Sequence, residues 1–259
     1  MRVLRHHQPP LKMRFSWTVK AVPASALIGL ILFCSPAPAR GFTVQDGDGQ
    51  SLHGKIVKEA LSSTIDPANL SLVIKSLDEK AAAEAREAQS TIKSSVAFVD
   101  REQKKILNYA AEADVSPASR YYCLKHFGQL LLAAQDFYSR SDYLEVQSAR
   151  LAEKLGKNGF DPYNIELVDW NKMLAATKQN QALIYGPATQ AKEDSAQGKA
   201  TLASTTYFKA ARELAVRETS RQWEVLETLI KQRYHDRAMT ILVALKQASC
   251  PQTEPDGLD

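Results

Sequence analysis

From Thr201 to Ser249 the chain contains neither glycine nor proline, and so long a stretch without a breaker suits helix above any other structure. Within it Tyr207, Ala211, Leu214, Ala215, Trp223, Leu226, Leu229 and Ile230 form an apolar stripe at helical spacing, carried by one long helix or two. The pattern extends back to Ser51. Glycines and prolines there are sparse and stand at element ends. Asp66-Pro67 and Ser116-Pro117 each read as an N-cap followed by proline at the first helical position. Leu70, Val73, Ile74 and Leu77 recur three and four apart, and apolar residues continue from Ala118 to Leu155, where Gly156 is placed to terminate a helix. Residues 156–164 read as a loop, and a polar segment lies between Tyr185-Gly186-Pro187 and Ala196-Gln197-Gly198. No sustained alternation predicts a sheet; Ser94 to Val99 is the one β-leaning stretch. The expectation is an all-α fold without internal repeats: a single multi-helix domain over 40–250, then a flexible tail over 251–259.

The first 39 residues read as a leader. Ala21 to Cys34 is apolar, follows Arg2, Arg5, Lys12, Arg14 and Lys20, and runs into Ala37-Pro38-Ala39, a small-residue cleavage pattern. The run is short for a membrane span, so a secretory signal peptide with cleavage after Ala39 is expected, with Met1 or Met13 as the start. The protein would then be exported, either periplasmic or secreted. Five of the 33 basic residues and none of the 29 acidic ones lie in this leader. The remainder balances 28 basic against 29 acidic groups. The formal net charge of +4 therefore belongs to the leader, and composition gives no case for nucleic-acid binding.

Two cysteines, Cys123 and Cys250, remain after the leader. In an oxidising compartment they are candidates for a disulfide joining the C-terminal segment to a central helix. Two separate thiols, one on a buried helix face and one in a frayed tail, is the other reading.

Three histidines also remain: His53, His126 and His235. His53 opens an amphipathic helix, where an imidazole can bind metal through one nitrogen or serve as a capping or surface residue. Asp100 can cap a helix over 101–113. Leu132, Asp136 and Arg140 are spaced i, i+4, i+8 and share one helix face, so Arg140 can pair with Asp136 directly. Glu213 and Glu218 read as exposed helix charges, and the aromatic group Tyr121, Tyr122, Phe127, Phe137, Tyr138 and Tyr143 as core. His126 lies off the Asp136 face, and His235 sits in a solvated charged stretch. No G-x-S-x-G elbow, P-loop, H-E-x-x-H or dinucleotide fingerprint is present.

The run Gln135-Asp136-Phe137-Tyr138-Ser139-Arg140-Ser141-Asp142-Tyr143-Leu144-Glu145 resembles the "QDFYSHSNW-E" signature of Het-C-like proteins, relatives of the secreted zinc-dependent phospholipases C. The His53-Gly54-Lys55-Ile56-Val57 segment is similar to the "H-x-x-I-V" opening of those enzymes, whose histidine binds metal. The resemblance implies the helical fold of the zinc-dependent phospholipase C and S1-P1 nuclease group. It also implies metal candidates at His53, Asp100, Asp136 and Asp142. Ligand positions are lost at Ala97, Leu132, Arg140 and Tyr207, where the family carries histidines. About five imidazoles build the family's zinc cluster, and this chain does not have them. The cofactor expectation is thus none, or a single divalent metal.

Three functions stand open. The chain is a non-catalytic binding protein with a degenerate metal site, taking lipid headgroups, a membrane surface or an envelope protein. Alternatively it is a metal-dependent phosphoesterase of phospholipase C type working with a remodelled site, or a structural component of a cell-envelope or secretion apparatus.

Overall fold

The computed structural model describes residues 50–84, 91–156, 161–181, 183, 185–186, 193 and 195–255, all within one compact unit. The leader, its Ala37-Pro38-Ala39 pattern and Cys34 lie outside the described residues.

The described chain is predominantly helical, as its periodicity predicts. Helices α1 (Leu52–Leu61), α2 (Pro67–Glu84), α3 (Ile92–Ala110), α4 (Pro117–Arg140) and α5 (Tyr143–Leu155) come first. A 3-10 turn at Pro162–Asn164 leads to α6 (Trp170–Lys178) and the single turn α7 (Ala196–Lys199). Strands β1 (Thr201–Leu202) and β2 (Thr205–Thr206) form a small antiparallel hairpin, a feature too short for periodicity to reveal. The chain ends with α8 (Tyr207–Tyr234), a 3-10 turn at His235–Arg237, and α9 (Ala238–Gln247). The breaker-free stretch is therefore two helices. The break falls at exposed His235, whose φ of 43° lies in the left-handed region that a helix cannot continue through.

The helix starts follow local chemistry. Asp66 Oδ1 accepts from Ala68 N at 3.0 Å ahead of Pro67, and Ser116 Oγ accepts from Ser119 N at 3.2 Å ahead of Pro117. Two expectations give way. The helix holding Asp100 begins nine residues earlier than a cap there would place it, because Thr91 Oγ1 accepts from Ser94 N at 3.1 Å. Asp100 is mid-helix, and Ser94–Val99 is helical. Val96, Val99, Ile106 and Ala110 bury one face of α3, and this tertiary burial overrides the local β preference. The apolar run from Ala118 to Leu155 is divided at Ser141-Asp142. There the Asp142 backbone N–H donates to the Gly186 carbonyl at 3.0 Å, and the Asp142 carboxylate accepts from Gly186 N at 2.7 Å. Gly156 ends α5 with φ 83°, as its position predicts.

Helix α4 is the axis of the molecule and packs on α2, α3 and α8. Its contact with α2 is close enough to require Gly128, where a Cβ would stand 2.3 Å from the Val73 carbonyl oxygen. Two apolar clusters sit along α4. One gathers Val73, Leu77, Ile106, Leu124, Phe127, Leu131, Trp223 and Ile241; the other gathers Ile56, Phe137, Tyr138, Tyr143, Ile165, Met173 and Leu214. The expected aromatic group is buried, divided between the two. Polar side chains fill the seam between them, and that seam holds the candidate site.

The C-terminal segment differs from a free tail over its described part. Lys75 Nζ donates to the Gln252 carbonyl at 3.1 Å, and Lys125 pairs with Glu254 at 2.7 Å. Residues 256–259 lie outside the described set.

Candidate functional site

At the seam, α1 delivers His53 from the first turn of the helix. Ser51 provides the N-cap, accepting from Gly54 N at 2.9 Å, so the imidazole is released from any capping role. It turns inward and is 1% exposed. The alternative of a surface or capping histidine is therefore overturned. On α4, Gln135 and Asp136 stand between Ala134 of one apolar cluster and Phe137 of the other.

A hydrogen-bond relay orients the ring. Thr219 Oγ1 donates to the Ala215 carbonyl at 2.8 Å, as a helical threonine does when buried. Its lone pair then accepts from Gln135 Nε2 at 3.0 Å. That leaves Gln135 Oε1 facing His53 Nδ1 at 2.7 Å, so Nδ1 carries a proton. The other ring nitrogen, Nε2, lies 3.4 Å from Asp136 Oδ1. Arg140, one turn on, brings Nη2 to 3.0 Å from the second carboxylate oxygen. The pairing read from the i, i+4 spacing is present. Burial alone would raise the Asp136 pKa, but His53 and Arg140 outweigh it and hold the carboxyl below its usual range.

The remaining candidates are placed apart from this triad. Asp100 lies on α3 and pairs with Lys104 at 2.6 Å, while Ala97 is on the exposed side of that helix. Asp142 is engaged by the Gly186 backbone. Leu132 is 2% exposed within the first apolar cluster. Tyr207 begins α8, packed at the edge of the second cluster, with its pKa raised by burial and by Glu145. Among the described residues, no three His, Cys, Asp or Glu side chains converge as a metal-binding group. A catalytic zinc takes three protein ligands and an open position. His53 and Asp136 supply two donors, and the Arg140 guanidinium lies against the carboxylate. Among the described residues, those at this site do not fit a catalytic metal.

The second half of the seam centres on a carboxylate of α8. Glu218, expected as an exposed helix charge, is fully buried. Its oxygens accept from Trp170 Nε1 at 2.7 Å, Gln222 Nε2 at 2.6 Å, Tyr138 OH at 2.9 Å and Arg221 Nη2 at 2.6 Å. Four donors of this kind saturate a carboxylate and stabilise its charge without solvent. Burial, then the Glu218 charge, push the Tyr138 phenol up, which keeps its proton available to donate. The signal was present in the sequence: Glu218 continues the stripe of Ala211, Leu214 and Ala215 at helical spacing toward Leu226. His126 is a further departure. It lies off the Asp136 face as expected, yet it pairs with buried Glu102 at 2.6 Å. Cys123 and Cys250 are both buried and stand as thiols.

Among the described residues no helix is long and apolar enough to cross a membrane. No family model, curated protein or solved structure shows a significant match to this chain.

Proposed function

We propose that this chain is an exported all-α domain of zinc phospholipase C/Het-C-like fold whose degenerate metal site leaves it a binding protein rather than a hydrolase. It would take a lipid headgroup, a membrane surface or an envelope protein. One observation carries the reading: Arg140 occupies the flank of Asp136 with a fixed positive charge, 3.0 Å from the carboxylate. A guanidinium there neutralises the carboxylate as a cation would, while supplying no Lewis acid and no activated water. The resemblance supports the fold assignment, and the leader pattern supports export.

Elemental analysis and zinc titration of the purified mature protein test this reading. Less than one equivalent of zinc and no effect of EDTA on the melting temperature are expected. Hydrolysis of phosphatidylcholine or p-nitrophenyl-phosphorylcholine should stay at background. Stoichiometric native metal would overturn the reading and promote the phosphoesterase, with His53 and Asp136 as the first residues to mutate.

A further inference from the structure

The C-terminal segment is tied to α4 by three side chains of that helix. Arg120 Nη2 donates to the Ser249 carbonyl at 3.0 Å, and Lys125 pairs with Glu254 at 2.7 Å one to two turns further on. Tyr122 OH approaches the Pro255 carbonyl at 3.5 Å. Cys250 directly follows Ser249, and Cys123 stands one turn beyond Arg120 on the same face of α4. Both cysteines belong to the same apolar cluster. These contacts hold Ser249 and its neighbour Cys250 against the N-terminal half of α4, where Cys123 Sγ donates to the Ile106 carbonyl of α3 at 3.6 Å.

We infer that Cys123 and Cys250 form a redox latch: a small disulfide such as oxidised glutathione converts the two thiols to a disulfide that fastens residues 249–255 to α4. The inference is independent of what the His53 site binds, and it goes beyond a static bridge because the folded structure already accommodates the dithiol state.

Chemistry orders the two steps. Burial pushes the Cys250 thiol up to about 11, with Arg120 opposing the rise. Burial, together with Cys250, pushes Cys123 much further up. Cys250 therefore ionises first. The segment that carries it is held along its length by polar contacts at the surface, from Lys75, Lys125 and the Gln252 side chain to the Ala68 carbonyl at 3.4 Å. Local opening of such contacts exposes Cys250 while α4 and Cys123 stay in place. The Cys250 thiolate attacks one glutathione sulfur, forming a mixed disulfide and expelling one glutathione thiolate. As the segment closes, the Cys123 thiolate attacks Cys250 Sγ and expels the second. Two protein thiols lose two electrons and two protons; glutathione disulfide gains both as two thiols.

The test uses the reduced full-length chain, incubated with oxidised glutathione at pH 8, then unfolded, alkylated and peptide-mapped without reduction. The dominant product should link Cys123 to Cys250, leaving Cys34 alkylated or glutathionylated. The oxidised form should melt about 5 °C or more above the reduced form, and dithiothreitol should reverse this. Cys250→Ser should abolish both the link and the melting shift. The Lys125→Ala variant, which loosens the segment without touching either sulfur, should link faster. Persistent glutathione on Cys250 beside an alkylatable Cys123, or two alkylatable thiols in a natively folded sample after prolonged oxidation, would overturn the latch.

Discussion

The Arg140 guanidinium meets the Asp136 carboxylate across one turn of α4, with Nη2 3.0 Å from Oδ2, while His53 faces the other oxygen from α1. One carboxylate thus joins two helices through two nitrogenous partners. Asp136 is 7% exposed, so its charge depends on those partners rather than on water.

Replacing Arg140 with methionine keeps an unbranched apolar stem and removes the charge. Asp136 would then be left with His53 and Ser139 in a poorly hydrated seam. A loss of about 3 kcal/mol is expected, read from urea denaturation at pH 7. The double variant Arg140→Met with Asp136→Asn should recover a good part of that loss, because the stranded charge is gone. A double variant no more stable than Arg140→Met would show that the pair is not what holds the seam.

The approach of α4 to α2 gives a steric prediction. Gly128→Ala would set a methyl group 2.3 Å from the Val73 carbonyl oxygen, and neither backbone can retreat without opening the cluster around Leu77 and Leu124. A destabilisation of about 2–3 kcal/mol is expected by thermal or chemical melting. A neutral result would mean that the two helices do not pack this closely in solution.

Glu102 predicts a pH dependence. Burial would raise its pKa, but the hydrogen bonds from His126 and Lys105 prevail and hold it below the ordinary carboxylate value. A depressed folded-state pKa contributes stability above the unfolded value, and that stability is lost as pH falls through the folded one. Wild type should therefore exceed Glu102→Gln in urea midpoint at pH 6–7, and the advantage should shrink as pH drops below about 4. An advantage that persists undiminished at pH 3 would count against the charged pair.

How much of this was legible depends on how local the chemistry is. Asp66-Pro67 and Ser116-Pro117 announce helix starts because a cap is satisfied within three residues. Arg140 and Asp136 could be paired from spacing alone, since four residues on a helix are neighbours in space. The link from His53 to Gln135 spans 82 positions in the chain, and no local pattern encodes it. The break at Ser141-Asp142 is equally non-local, being made by the Gly186 backbone arriving from 44 residues away. The cap at Thr91 is as local as those at Asp66 and Ser116, but Val96, Phe98 and Val99 just behind it lean toward strand. The resemblance pointed to His53 and Asp136, which do meet. It pointed as well to Asp100 and Asp142, which have partners elsewhere.

Glu218 supports the last prediction. In Arg217-Glu218-Thr219-Ser220-Arg221 it sits among polar neighbours, yet the fold buries it completely and directs four donors at it. Those donors come from α4, α6 and α8, so one carboxylate fixes the mutual position of three helices. Glu218→Gln keeps the volume but removes the charge, and it turns an amide N–H₂ toward groups that can only donate. The Trp170 indole and the Arg221 guanidinium cannot reverse their roles. A loss of about 2–4 kcal/mol is expected, with far-UV circular dichroism unchanged in the folded state. Trp170 emission should shift to the red as the indole loses its acceptor and its anchorage. Asp169, which caps α6 at the surface by accepting from Lys172 N at 3.0 Å, is the control. Its replacement by asparagine should cost only tenths of a kcal/mol, since asparagine caps as well as aspartate. If Glu218→Gln were as mild as that control, the carboxylate would not be the centre on which α4, α6 and α8 converge.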